Sequence, residues 1–151
     1  EAEGATCAYA AYLDGDGDLG VLSASGGDNK IAWYENDGTG QFGPQQVITT
    51  EAQGAACVYA VDLDGDGDMD VLSAFRGHWN GQYYTDSKIA CYTNDGTGQF
   101  GPQQVITTQA NYATCVYAAD LDGDGDLDVL SASSGSWPSY DDGKIAWYEN
   151  E

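Results

Sequence analysis

Short apolar runs broken by Gly, Asn and Asp dominate this chain. Val58 to Leu63, Met69 to Phe75, Lys88 to Tyr92 and Gln103 to Thr107 each span five to seven residues between turn formers, a pattern that predicts four β-strands. No apolar period of 3.6 persists over ten residues, and the 21 glycines sit mainly where loops are expected. The fold class read from this pattern is all-β. The segment Lys30-Ile31-Ala32-Trp33-Tyr34 and its copy Lys144-Ile145-Ala146-Trp147-Tyr148 carry apolar side chains on both faces. A strand of that kind belongs to a sheet covered on both sides.

Self-alignment shows why the runs recur. Residues 36–50 and 94–108 are the same fifteen letters, NDGTGQFGPQQVITT. Cys-x-Tyr-Ala recurs at Cys7, Cys57 and Cys115, Val-Leu-Ser-Ala at Val21, Val71 and Val129, and Lys-Ile-Ala at Lys30, Lys88 and Lys144. The chain therefore reads as one repeat domain, 1–151, of three units: 1–50, 51–108 and an incomplete 109–151. Units of this length are typical of propeller blades and solenoids. The third unit ends without the Phe-Gly-Pro-Gln-Gln-Val-Ile strand of the first two. Three four-stranded units, the last lacking its outer strand, cannot close a ring alone. Two readings follow: an open array completed by other copies or chains, as a ring or a filament, or a portion of a longer propeller.

Charge narrows the partners. The chain has 25 Asp and Glu against 4 Lys and Arg, a net charge of -21, which disfavours nucleic acid and anionic membranes. At 42% hydrophobic and 12% aromatic it is too apolar for a disordered acidic tail. No run approaches the roughly 18–20 apolar residues of a membrane span, and the acidic start lacks a signal peptide's basic region. The chain reads as soluble and, if exported, already processed.

The acids are concentrated in three loops, which hold thirteen of them. Asp62-x-Asp64-Gly-Asp66-Gly-Asp68-x-Asp70 recurs as Asp120-x-Asp122-Gly-Asp124-Gly-Asp126-x-Asp128. Alternating carboxylates with intervening glycines let a tight backbone turn aim several oxygens at one point, which suits a hard cation with six to eight oxygen ligands. Calcium is preferred over magnesium, which wants a stricter octahedron, and over zinc, which wants His or Cys. An EF-hand is excluded because loop position 12 is Ser73 or Ser131 and the flanks are strand-like. In the first unit Tyr12 and Gly20 replace the outer acids, leaving Asp14, Asp16 and Asp18 for a weaker third site. Without a cation, repulsion within each loop opposes folding.

The Asp loops, Val71-Leu72-Ser73-Ala74 and Gly98-Gln99-Phe100-Gly101-Pro102 resemble the FG-GAP or VCBS-type repeats of integrin alpha-subunit propellers and fungal propeller lectins. The resemblance implies four-stranded blades with calcium between the first two strands. It implies side-chain ligation by Asp62, Asp64, Asp66 and Asp70 with the Asp68 backbone, and by Asp120, Asp122, Asp124 and Asp128 with the Asp126 backbone.

The connections Phe75 to Ser87 and Ser133 to Gly143 are long and carry Trp79, Tyr83, Tyr84, Trp137 and Tyr140. Such rings suit stacking on sugars or a protein partner, or they cover the neighbouring unit. Cys7, Cys57 and Cys115 occupy one repeat position, and Cys91 stands where Trp33 and Trp147 stand in the other units. They are buried thiols or disulfides of undetermined pairing. His78, the only histidine, has no catalytic companions, and no Asn-x-Ser/Thr sequon occurs, though O-linked sugars remain compatible. The leading expectation is an extracellular or cell-surface calcium-binding structural or adhesive protein that self-assembles and is not an enzyme. The alternative is a lectin-like module binding glycans or extracellular proteins, and glycoside hydrolysis is a remote third reading.

Overall fold

A computed structural model describes residues 2–150; Glu1 and Glu151, the ends of the expected repeat domain, lie outside them. Among the described residues every regular element is a strand. The first sheet is built from β1 (Ala5–Ala11), β2 (Gly20–Ser25), β3 (Lys30–Tyr34) and β4 (Gln46–Thr49), in that spatial order and antiparallel throughout. The second takes β5 (Ala55–Val61), β6 (Asp70–Phe75), β9 (Lys88–Tyr92) and β10 (Gln104–Thr107). Between β6 and β9 the chain makes a separate hairpin, β7 (His78–Trp79) with β8 (Tyr84–Thr85), which the sequence pattern does not announce. The third sheet has three strands, β11 (Ala113–Ala119), β12 (Asp128–Ser133) and β13 (Lys144–Tyr148), with no fourth beside β13 among the described residues. The three sheets do not close into a ring.

Strand bounds move where other interactions compete. β5 starts at Ala55, earlier than the expected Val58, and stops at Val61, before Leu63. Asp62 and Leu63 are drawn into the acidic loop, where the Asp62 carboxylate accepts from the Gly65 and Gly67 amides. The innermost strand of each sheet carries the same register shift, at Ala5/Cys7, Ala55/Cys57 and Ala113/Cys115. One backbone design is thus used three times.

The double-faced apolar pattern is satisfied by stacking one sheet on the next. Leu22, Ala24, Ile31 and Trp33 of the first sheet share a core with Val58, Ala60, Val71 and Tyr92 of the second. Leu72, Ala74, Ile89 and Cys91 on the opposite face share another with Ala113, Val116, Ala118 and Val129 of the third. All six residues of β6 are buried as a result. Where Trp33 fills the first interface and lies against Gly98, the shorter Cys91 leaves a hollow of about 290 Å³ lined also by Ile106, Val129 and Tyr148.

Among the described residues, nothing stacks on the equivalent face of the third sheet. Ile31 and Ile89 are 0% exposed, whereas Ile145 at the same repeat position is 82% exposed. Removing buried methylenes costs transfer and cavity energy together. Ile31→Ala and Ile89→Ala are therefore each expected to lose about 2–5 kcal/mol, and Ile145→Ala to stay within about 0.5 kcal/mol. Urea unfolding of the three variants reads the difference.

Candidate functional site

Each acidic loop turns back between the first two strands of its sheet. In the second loop Asp62, Asp64 and Asp70 each place a carboxylate oxygen within 4.8 Å of the others. Asp70 opens β6 and is 1% exposed. One of its oxygens accepts from the Leu63 amide at 3.1 Å and the other from the Asn94 amide at 2.9 Å. Burial raises its pKa, against the two hydrogen bonds that lower it and with Asp64 and Asp66 adding repulsion. Asp66 lies outside this triad, its carboxylate accepting from the Asp68 amide at 2.9 Å. The Asp68 carboxylate turns to the neighbouring loop, where a Cβ at Gly96 would sit 2.5 Å from it.

The third loop gathers Asp120, Asp122 and Asp124. Asp128, also 1% exposed, accepts from the Leu121 and Asn150 amides as Asp70 does from Leu63 and Asn94, and it is not one of these three. The side chain of Asp126 is absent from the triad as well. In the first loop Asp14 and Asp16 are joined by Glu35, whereas Asp18 faces Gly38. Burial, followed by the neighbouring Asp16 and Glu35 charges, raises the Asp14 pKa. Glu35 follows β3 where the second unit has Thr93. The first loop thus replaces a missing loop carboxylate with one from just beyond the third strand. A search confined to the loop motif passes over it.

The loops are tied across the sheet interfaces. Asn94 donates from its side-chain amide to Leu13 O at 2.8 Å and to Met69 O at 3.1 Å, while its backbone amide holds Asp70. Asn150 does the same one sheet further on, donating to Leu63 O at 3.0 Å and to Asp128 from its backbone. Each asparagine thereby fixes the acidic loop of its own sheet against that of the preceding one.

On another part of the surface, the long connections of the second and third sheets converge. Trp79, Tyr84, Tyr112, Trp137 and Tyr140 surround a hollow of about 420 Å³. Trp79 packs at a tilt against Tyr84 at 5.2 Å, Tyr84 meets Tyr112 edge-on at 4.6 Å, and Trp137 meets Tyr140 edge-on at 5.8 Å. Tyr83 stays outside the lining and exposed. An adjoining hollow of about 340 Å³ shares Trp79, Tyr84 and Tyr112 but is otherwise polar, with Asn29, Arg76 and His78 on its walls. The Arg76 guanidinium lies 5.5 Å over the Tyr112 ring.

Tyr112 is not among the rings expected from the long connections, yet the repeat carries a signal for it. Gly4 and Gly54 hold the same position with φ of 63° and 62°, and Tyr112 adopts φ 54° there. A bulky residue in the left-handed region costs energy that glycine avoids. Tyr140, with φ 56°, is a second pocket ring in this state.

A family comparison matches residues 12–73 and 79–131 to the FG-GAP-like repeat, together well over half of the chain. The chain belongs to this FG-GAP-like repeat family. No curated protein matches it. Among solved structures, this FG-GAP-like chain is similar to one described as the structural basis of specific recognition of non-reducing terminal N-acetylglucosamine by an Agrocybe aegerita lectin. The likeness has a TM-score of 0.56 at 22% identity and covers 82% of this chain. At that identity it speaks for the fold. The chain spans 31% of the length of that structure.

The loop bearing Trp137 and Tyr140 is organised by Asp142, whose carboxylate accepts from the Ser136 amide, the Ser136 hydroxyl and the Asn111 side chain. These donors, the Ser136 amide first, hold its pKa down at about 2. A carboxylate with a folded pKa below its unfolded value near 3.9 stabilises above about pH 4, and the contribution is lost as pH falls through the folded value. Acrylamide quenching of tryptophan should therefore rise as the pH drops from about 4 to 2. Asp142→Ala should show the higher quenching already at pH 7.

Proposed function

We propose that this chain is a calcium-braced, carbohydrate-binding propeller module that works outside the cell by binding and not by catalysis. The observation that carries the reading is the cup of five aromatic rings from two adjacent sheets beside a polar hollow with which it shares three rings. Pyranose rings present an apolar C–H face and a rim of hydroxyls. The first stacks on Trp and Tyr faces, and the second takes hydrogen bonds from groups such as Arg76. Recognition sites commonly combine an apolar lining with a few placed polar groups. The similar lectin is described as recognising non-reducing terminal N-acetylglucosamine, which makes this sugar the first probe.

The metal part of the proposal rests on the three carboxylate triads and on membership in the repeat family. Ligand oxygens about 2.4 Å from one ion lie up to about 4.8 Å apart, and the oxygens of each triad fall within that span. All are hard carboxylate donors. Asp62, Asp64 and Asp70 would hold one ion, Asp120, Asp122 and Asp124 a second, and Asp14, Asp16 and Glu35 a third. A bound cation neutralises the repulsion that otherwise loosens each loop.

Titration with N-acetylglucosamine and a panel of oligosaccharides, followed by tryptophan fluorescence, tests the sugar reading. Saturable binding should weaken at least tenfold in Trp79→Ala and Trp137→Ala. Chelation should lower Tm, and added calcium should restore it. Absence of binding to any glycan by the folded, calcium-loaded chain would overturn the sugar reading. A Tm indifferent to chelator and calcium would overturn the metal reading.

The uncovered third sheet favours a second, structural reading, in which copies assemble with or without an adhesive role. Ile145 and Trp147 are exposed where their counterparts are core residues. Native mass spectrometry in calcium should then give dimers or higher species that Ile145→Arg reduces to monomer. A wild-type monomer at tens of micromolar would exclude it.

A further inference from the structure

Three thiols run in a row along the innermost strands. Cys7, Cys57 and Cys115 follow the register shift of β1, β5 and β11 and pair with Ala24, Ala74 and Ala132. The Cys57 and Cys115 sulfurs are 3.8 Å apart across the interface between the second and third sheets. Both approach one acceptor, Val116 O, at 3.9 and 3.8 Å. Two residues further along the same strands Tyr59 and Tyr117 pack with ring centres 4.7 Å apart, tilted by 43°. The strands are thus held side by side at this point by ring packing.

We propose that Cys57 and Cys115 form an oxidisable pair, a disulfide site that locks the second sheet to the third at their inner edge. A disulfide needs sulfurs at about 2.05 Å, so side-chain rotation has to close about 1.8 Å. Cys115 is exposed and Cys57 half-buried, which gives the steps an order. The Cys115 thiolate attacks a sulfur of a small disulfide such as oxidised glutathione, breaking its S–S bond and releasing one small thiol. Cys57 then loses its proton to solvent and attacks the Cys115 sulfur of the mixed disulfide, releasing the second small thiol. Two protein thiols are oxidised and one small disulfide is reduced.

The slow partner is identifiable. Burial pushes the Cys57 thiol up to about 12, so Cys57 supplies little thiolate at neutral pH and serves as the second, intramolecular nucleophile. Cys7 lies one step down the row, with its sulfur 3.7 Å from Val58 O. Cys91 is buried on the outer part of the second sheet, against the hollow that Ile106 and Tyr148 line. The lock therefore joins the two sheets whose long loops form the aromatic cup. It does not depend on sugar or calcium binding.

The test is to incubate the native chain with oxidised glutathione at pH 8.5, quench with acid and digest with chymotrypsin, which cuts between Cys91 and Cys115 at Tyr92 and Phe100. The expected result is a fall from four free thiols to two, a loss of about 2 Da and a Cys57–Cys115 peptide pair. Tm should rise by about 5–15 °C and return on reduction. Cys57→Ser should stay folded by circular dichroism and stop at the mixed disulfide on Cys115. Four persistent thiols, a stable glutathione adduct on the wild type, or a bridge through Cys7 or Cys91 would each overturn the proposal.

Discussion

The second and third sheets are organised around two aspartates placed where charge is expensive. Asp70 and Asp128 open the second strand of their sheets, almost without exposure. Burying a carboxylate is costly unless its oxygens are supplied with donors. Here both oxygens are, one by a backbone amide of the acidic loop and one by an asparagine after the third strand. The requirement fixes the loop's curl, since Leu63 and Leu121 must point their amides inward. It also fixes the position of Asn94 and Asn150, whose side chains are then free to grip the preceding sheet. One electrostatic constraint thereby sets the strand connection and the sheet-to-sheet registration together.

That coupling explains why an open stack of thin sheets can hold its shape. Each interface is a modest apolar layer of Ala, Val, Leu and Ile with an occasional ring, and such a layer slides easily if nothing polar pins it. The asparagine bridges pin one end, and the Tyr9–Tyr59–Tyr117 ladder lines the inner strands. A cation in each loop would stiffen the side already pinned. The aromatic cup is built from long loops of the two neighbouring sheets that these contacts join.

The sequence made the periodic part of this molecule legible because three copies of one unit reveal which residues are structural. The sheets, their strand order and the acidic loops follow from the repeated landmarks. What it hid are the departures between copies. The β7–β8 hairpin sits in a segment unique to the second unit, with two-residue strands too short to leave a pattern. Glu35 joins Asp14 and Asp16 from just beyond the third strand, and no motif within the loop records that proximity. The repeated loop motif also reads as a uniform ladder, whereas the carboxylates gather as Asp62, Asp64 and Asp70 in one loop and as Asp120, Asp122 and Asp124 in the next.

Tyr112 shows how such departures can be read in advance. Where two copies place glycine in a left-handed turn, a tyrosine in the third must bear a backbone penalty. The ring is not buried to offset it, for the residue remains half-exposed at the wall shared by the two hollows. Its packing against Tyr84 and beneath Arg76 recovers part of the cost. A repeat that breaks its own rule at one position, and does so at the wall of a cavity, singles that residue out.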